Sequence, residues 1–244
     1  MSQRFNTVIQ LLSAALIFGC LAVDVAVAQT TNQAVPVAAE SNHKIRFDNE
    51  SVRIYEVFLE KGKSTLMHEH LVDSFTVFFT NSEISVETYG SKAAVVKRDA
   101  GAVGFASTAA GPYSHRLTSI GDTPFHVMAM QLQSPAPKGP IPANLRPAST
   151  SKLLLENARG RVYRMTLEPG AVTDRFNRTA NTMLFAISAG RISENISGKP
   201  TVDGLPERIW DFEPGSLRWS GTNNMLSMKN ESSTPIELVE IEVF

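Results

Sequence analysis

Arg53-Ile-Tyr-Glu-Val-Phe-Leu59-Glu-Lys-Gly62 returns 108 residues later as Arg161-Val-Tyr-Arg-Met-Thr-Leu167-Glu-Pro-Gly170. Arg, Tyr, Leu, Glu and Gly keep their places, and a β-branched residue follows Arg each time. A second pair, Thr123-Pro-Phe-His-Val-Met-Ala-Met130 and Thr234-Pro-Ile-Glu-Leu-Val-Glu-Ile241, is offset by 111. So small a drift over some 70 residues is what short loop insertions produce in a duplicated unit. Between the copies runs Ser134-Pro-Ala-Pro-Lys-Gly-Pro-Ile-Pro-Ala-Asn-Leu-Arg-Pro147, whose prolines favour an extended, semi-rigid connector. The expected organisation is two similar domains at 44–133 and 150–244, joined by a Pro-rich linker over 134–149.

Both copies read as strands. Arg53–Glu60, Ser74–Thr80 and Ile84–Tyr89 are rich in β-branched and aromatic residues, with short Gly, Asn or Lys-Gly breaks between them. Arg161–Leu167, Met183–Ser188, Arg208–Phe212, Met225–Lys229 and Ile236–Phe244 behave alike. The best helical candidate, Ser151–Ala158, is short. Many short strands with regular turns predict an all-β barrel or sandwich.

The chemistry concentrates in the first copy. Gly62-Lys-Ser-Thr-Leu-Met-His68-Glu-His70 is followed by a distant His115 in Gly111-Pro-Tyr113-Ser-His115, and these are three of only five histidines. On a strand, His68 and His70 project to one face and Glu69 to the other. Two imidazoles on one face, with a third from another strand, suit a divalent transition metal. Tyr113 lies where a pocket rim is expected, and its phenol is a candidate catalytic group. His43, ahead of the first strand, is expected to play no part, and His126 to face outward.

These residues resemble the cupin family. Its first motif runs glycine, five residues, His-x-His, three or four residues, Glu, six residues, glycine. Gly62, His68 and His70 stand at that spacing. The Glu place falls on Ser74 or Phe75, with Asp73 the nearest carboxylate, and Asn81 stands near the closing glycine. Asp99-Ala-Gly101 opens the second motif and Gly111 precedes His115, with three intervening residues instead of two; Ser119 takes the place of the terminal Asn. The resemblance implies two double-stranded β-helix (cupin/jelly-roll) barrels in tandem. It also implies a divalent metal, Fe, Mn, Ni, Cu or Zn, held by His68, His70 and His115, with Asp73 as a candidate fourth ligand.

The repeat offsets carry His68 to Phe176, His70 to Arg178 and His115 to Leu226. None of the three suits a metal, so the second barrel is expected to be structural, with Arg178 solvated.

The N-terminus reads as an address. Arg4, the apolar run Val8–Val23 and Ala26-Val-Ala28 form a signal peptide over 1–28. A competing reading takes Ile17-Phe-Gly-Cys20 as a lipoprotein box with lipidation at Cys20. Either way the expected location is periplasmic or secreted, with no membrane span. A disordered tether is expected over 29–43. Cys20 is the only cysteine, so the mature chain has no disulfide and relies on its core. A formal net charge of −1 without basic runs gives no sign of a nucleic-acid partner and favours a small molecule. A homodimer is compatible with the resemblance. Two functions fit: a metal-dependent enzyme (dioxygenase-, isomerase- or lyase-like) on a small organic molecule, or a non-catalytic ligand-binding module.

Overall fold

The computed structural model describes residues 34–196 and 208–244. The segment expected to be a signal peptide, Cys20 and the start of the expected tether lie outside the described residues. The first half contributes β1 (Val35–Pro36), β2 (His43–Asp48), β3 (Val52–Leu59), β4 (His68–His70), β5 (Ser74–Phe78), β6 (Ser82–Thr88), β7 (Ala94–Arg98), β8 (Val103–Ala106), β9 (Tyr113–Ser119) and β10 (Phe125–Leu132). A single 3-10 turn covers Val37–Ala39. The second half contributes β11 (Ser151–Asn157), β12 (Gly160–Leu167), β13 (Phe176–Arg178), β14 (Asn181–Ala186), β15 (Gly190–Ile196), β16 (Arg208–Phe212), β17 (Leu217–Ser220), β18 (Asn223–Asn230) and β19 (Ile236–Val243).

The duplication is visible in the strand order. Sheet β2-β3-β10-β5-β8 of the first half is matched by β11-β12-β19-β14-β17 of the second, and β4-β9-β6-β7 by β13-β18-β15-β16. Gly62 and its counterpart Gly170 share a left-handed backbone, φ 81° and 72°, which a side chain would strain. Register follows the repeat as well: His68 pairs with His115, and Phe176 with Leu226. The fold is all-β, two jelly-roll barrels in tandem. Ser151–Ala158, the best helical candidate in the sequence, forms edge strand β11 on β12.

The two barrels share a core. On β3, Val52 and Ile54 point away from the first barrel, as do Phe75 and Val77 on β5 and Met128 and Met130 on β10. They pack with Val162, Met183, Phe185, Val239 and Ile241 of the second barrel. The alternate residues Val57, Leu59, Phe125 and Val127 face the first barrel's interior. These central strands are therefore covered on both faces, which is why β10 reads as a nearly unbroken apolar run.

The expectation of a disordered tether over 29–43 fails in its described part. Val35 pairs in parallel with His68, and its N–H donates to the Met67 carbonyl at 2.9 Å. Val37 and Glu40 are buried. The polar composition misled because the segment is held by backbone bonds and one carboxylate rather than by an apolar face.

Candidate metal centre

Strand parity and pairing build the site. β4 directs His68 and His70 inward, and the antiparallel register of β9 sets His115 directly opposite His68. The His115 Nε2 lies 3.0 Å from the His68 Nε2 and 3.2 Å from the His70 Nε2. All three histidines offer ligand atoms within 4.8 Å of one another. Nitrogens about 2.1 Å from one ion and at right angles around it would lie about 3 Å apart, so the spacing fits a shared divalent cation.

The protonation states fit too. The His68 Nδ1 donates to the Leu66 carbonyl at 2.9 Å, leaving the Nε2 lone pair for a ligand. Burial holds the His68 imidazole down at about 4. Burial, then the charges of His115 and the other neighbouring rings, takes His70 to about 2. Burial with His68 and His43 takes His115 to about 3. All three are neutral near pH 7, the form that binds metal. Among the described residues the buried His70 Nδ1 has no hydrogen-bond partner, and its ring stacks on Tyr113 with centroids 4.8 Å apart and planes 11° apart.

A pH dependence follows for the metal-free protein. The folded-state pKa of these histidines lies below the unfolded 6.5, so below 6.5 the unfolded chain binds more protons. Stability contributed by neutral imidazoles is therefore complete above about 6.5 and is lost as pH falls through the folded values, about 4 for His68, about 3 for His115 and about 2 for His70. The urea midpoint of chelator-treated protein should drop between about pH 7 and pH 5, and His70→Phe should flatten that slope. An unchanged slope would rule the histidines out as its source.

Tyr113 borders the pocket. Burial, with a smaller push from Asp73, raises its phenol pKa against the opposing Ser74 hydrogen bond, so it stands protonated as a donor at neutral pH. Of the two residues at the family's glutamate place, Ser74 faces the barrel interior, while Phe75 is buried between the barrels. Asp73 does not join the cluster. Its Oδ1 accepts from the Thr108 backbone N–H at 2.8 Å and hydroxyl at 3.1 Å, and its Oδ2 pairs with Arg159 of the second barrel at 3.1 Å. Starting the strand one residue later turns this carboxylate outward, into a tie between the barrels.

Sequence reasoning missed the Glu40–His43 pair. The His43 Nδ1 lies 2.6 Å from the Glu40 Oε2, and its ring meets His68 edge-on at 4.6 Å. Glu40 also accepts from the backbone N–H of Leu66 and Asn42. Burial alone would raise its pKa, but these bonds and His43 hold it below the usual carboxylate range. The pair clamps the chain immediately before His68. The available signal was a Glu three residues ahead of a His in an otherwise featureless segment. His126 is not free on the surface either; its Nε2 meets the Glu56 carboxylate at 2.8 Å.

The equivalent place in the second barrel is filled. Phe176 and Leu226 are core residues, and Arg178 is fully buried. Its guanidinium binds Glu194 at 2.9 Å and Glu240 at 3.1 Å. Burial opposes the charge of Arg178, yet the two carboxylates raise its pKa. Arg146, from the Pro-rich connector, enters the same barrel and pairs with Glu240 at 3.0 Å and Glu242 at 3.1 Å. The expectation of a solvated Arg178 is thus corrected: the acids that compensate it arrive from β15 and β19.

No protein-family model and no curated protein sequence matches the chain. Solved structures do. AerE from Microcystis aeruginosa superposes with a TM-score of 0.56 at 11% identity, over 84% of this chain and 98% of that one. Oxalate decarboxylase from Bacillus subtilis, described with Mn(II) centres, gives 0.55 at 11% over 80% and 69%. Salicylate 1,2-dioxygenase from Pseudoaminobacter salicylatoxidans gives 0.53 at 11% over 80% and 70%. At such identities the likeness establishes the fold: this chain has the architecture of a two-barrel cupin.

Proposed function

We propose that the protein is an exported, metal-dependent cupin enzyme acting on a small organic molecule in its first barrel. The observation that carries this reading is the convergence of His68, His70 and His115 at the wall of an open barrel, against the filled interior of the second. Three neutral imidazoles would hold a divalent ion and leave positions for substrate; the ion would supply Lewis acidity or redox capacity. The chain's own contributions are distinct. Leu66 sets the His68 tautomer, and Glu40 and His43 fix the approach to β4. Tyr113, protonated and stacked on His70, would donate a hydrogen bond to bound substrate. That solved neighbours of the fold include a decarboxylase and a dioxygenase supports metal chemistry without choosing a reaction. The N-terminal address supports export.

Elemental analysis of the purified full chain, beside oxygen-uptake and turnover assays on phenolic, thiol, diketone and carboxylate panels, tests the reading. Stoichiometric metal with turnover supports it. Metal without turnover on any panel would favour the non-catalytic binding module, and absence of metal would defeat the metal-dependent enzyme and leave a binding module with a bare pocket.

A further inference from the structure

The first barrel encloses roughly 400 Å³, in the range of pockets for small organic ligands. Alternate residues from both sheets line it, as barrel geometry requires. Away from the histidines its walls are Ile84, Val86, Leu117, Phe125 and Val127, with hydroxyls from Ser74, Thr76, Thr88 and Tyr113. Among the described residues no aspartate or glutamate lines it, but Lys92 and Arg98 do.

The cations stand at opposite ends. Thr88 pairs with His115 and Val86 with Ala94, which sets Lys92, in the connection between β6 and β7, at the histidine end. Arg98 pairs with Ser82 at the far end, its guanidinium 5.8 Å from the Phe78 ring centroid. Neither makes an ion pair among the described residues, although neighbouring Lys97 does. A pocket with apolar walls, no acid and cations outside any ion pair disfavours ammonium groups and favours an anion with an apolar body.

We infer that this barrel binds an apolar monocarboxylate, aromatic or branched, with its carboxylate at the histidine end beside Lys92 and its body against Phe125 and Val127. This deepens the proposed function and rests on the first barrel being the ligand site. The charge preference, however, belongs to Lys92 and does not need the metal.

The test is calorimetric binding of benzoate, its neutral isostere benzamide, and acetate to the full chain before and after chelator treatment. Benzoate should bind about tenfold tighter than benzamide, a charge-assisted contact's worth, and tighter than acetate, in both preparations. Lys92 is exposed, so Lys92→Ala should fold normally and bring benzoate within about twofold of benzamide. Equal binding of benzamide, acetate binding as tightly as benzoate, or no binding at all would each overturn the inference. So would a preference that disappears with chelator and ignores Lys92→Ala. A protein that carries no metal as purified, before any chelator, and still shows the preference would defeat the metal reading alone.

Discussion

His115→Ala is expected to reduce bound metal from stoichiometric to a trace, with affinity falling more than about a hundredfold, because losing even an outer partner of a metal ligand typically costs 10–100-fold. His115 is the informative choice of the three. His68 and His70 share one three-residue strand, whereas His115 comes from β9 and meets them only through the His68 register. Removing it leaves two nitrogens on one side of the ion. The backbone should tolerate the change, since β9 is held by β6 from His115 to Ser119. Asp73→Ala is the matched control: its carboxylate is engaged by Thr108 and Arg159, so it should retain full metal while losing some stability. Elemental analysis with circular dichroism reads both. A folded His115→Ala that keeps stoichiometric metal would sink the three-histidine centre, and loss of metal from Asp73→Ala would reinstate that residue as a ligand.

Arg178→Ala should destabilise the protein by about 3–5 kcal/mol, the usual consequence of removing one partner from a buried ion pair. The side chains of Arg178, Glu194 and Glu240 are all at most 1% exposed. Arg218 still reaches Glu194 and Arg146 still reaches Glu240, which places the cost toward the lower end. Removing the charges together is a different experiment. The corresponding positions of the first barrel are His70, Val86 and Ala129, so Glu194→Val and Glu240→Ala copy apolar residues the fold already carries there, and Arg178→Leu removes the guanidinium they compensate. That triple variant should recover most of the loss. Urea unfolding measures both; a single variant within about 1 kcal/mol of wild type would show that the network is solvated rather than buried.

Much of this architecture is legible along the chain because the repeat marks turns, where glycine is needed, and strands, where β-branched and aromatic residues recur. The histidine cluster is legible for a related reason: parity puts His68 and His70 on one face. What escapes is whatever depends on partners far apart in sequence. Arg178 reads as a surface residue until Glu194 and Glu240 come to it from other strands. Asp73 reads as a ligand until the exact start of β5 turns it toward Arg159. Glu40 and His43 sit in a segment whose composition resembles a linker, and their importance lies in two hydrogen bonds and one backbone pairing that no periodicity announces.

The shared apolar layer between the barrels has a consequence for the chain's history. Once Phe75, Met128 and Met130 had found their cover in Met183, Phe185 and Ile241, neither copy could be discarded without leaving a wide oily face in water. The second copy needs no ligand site for this: with Phe176 and Leu226 in an apolar core and Arg178 tied to Glu194 and Glu240, it serves as a lid on its sibling's back.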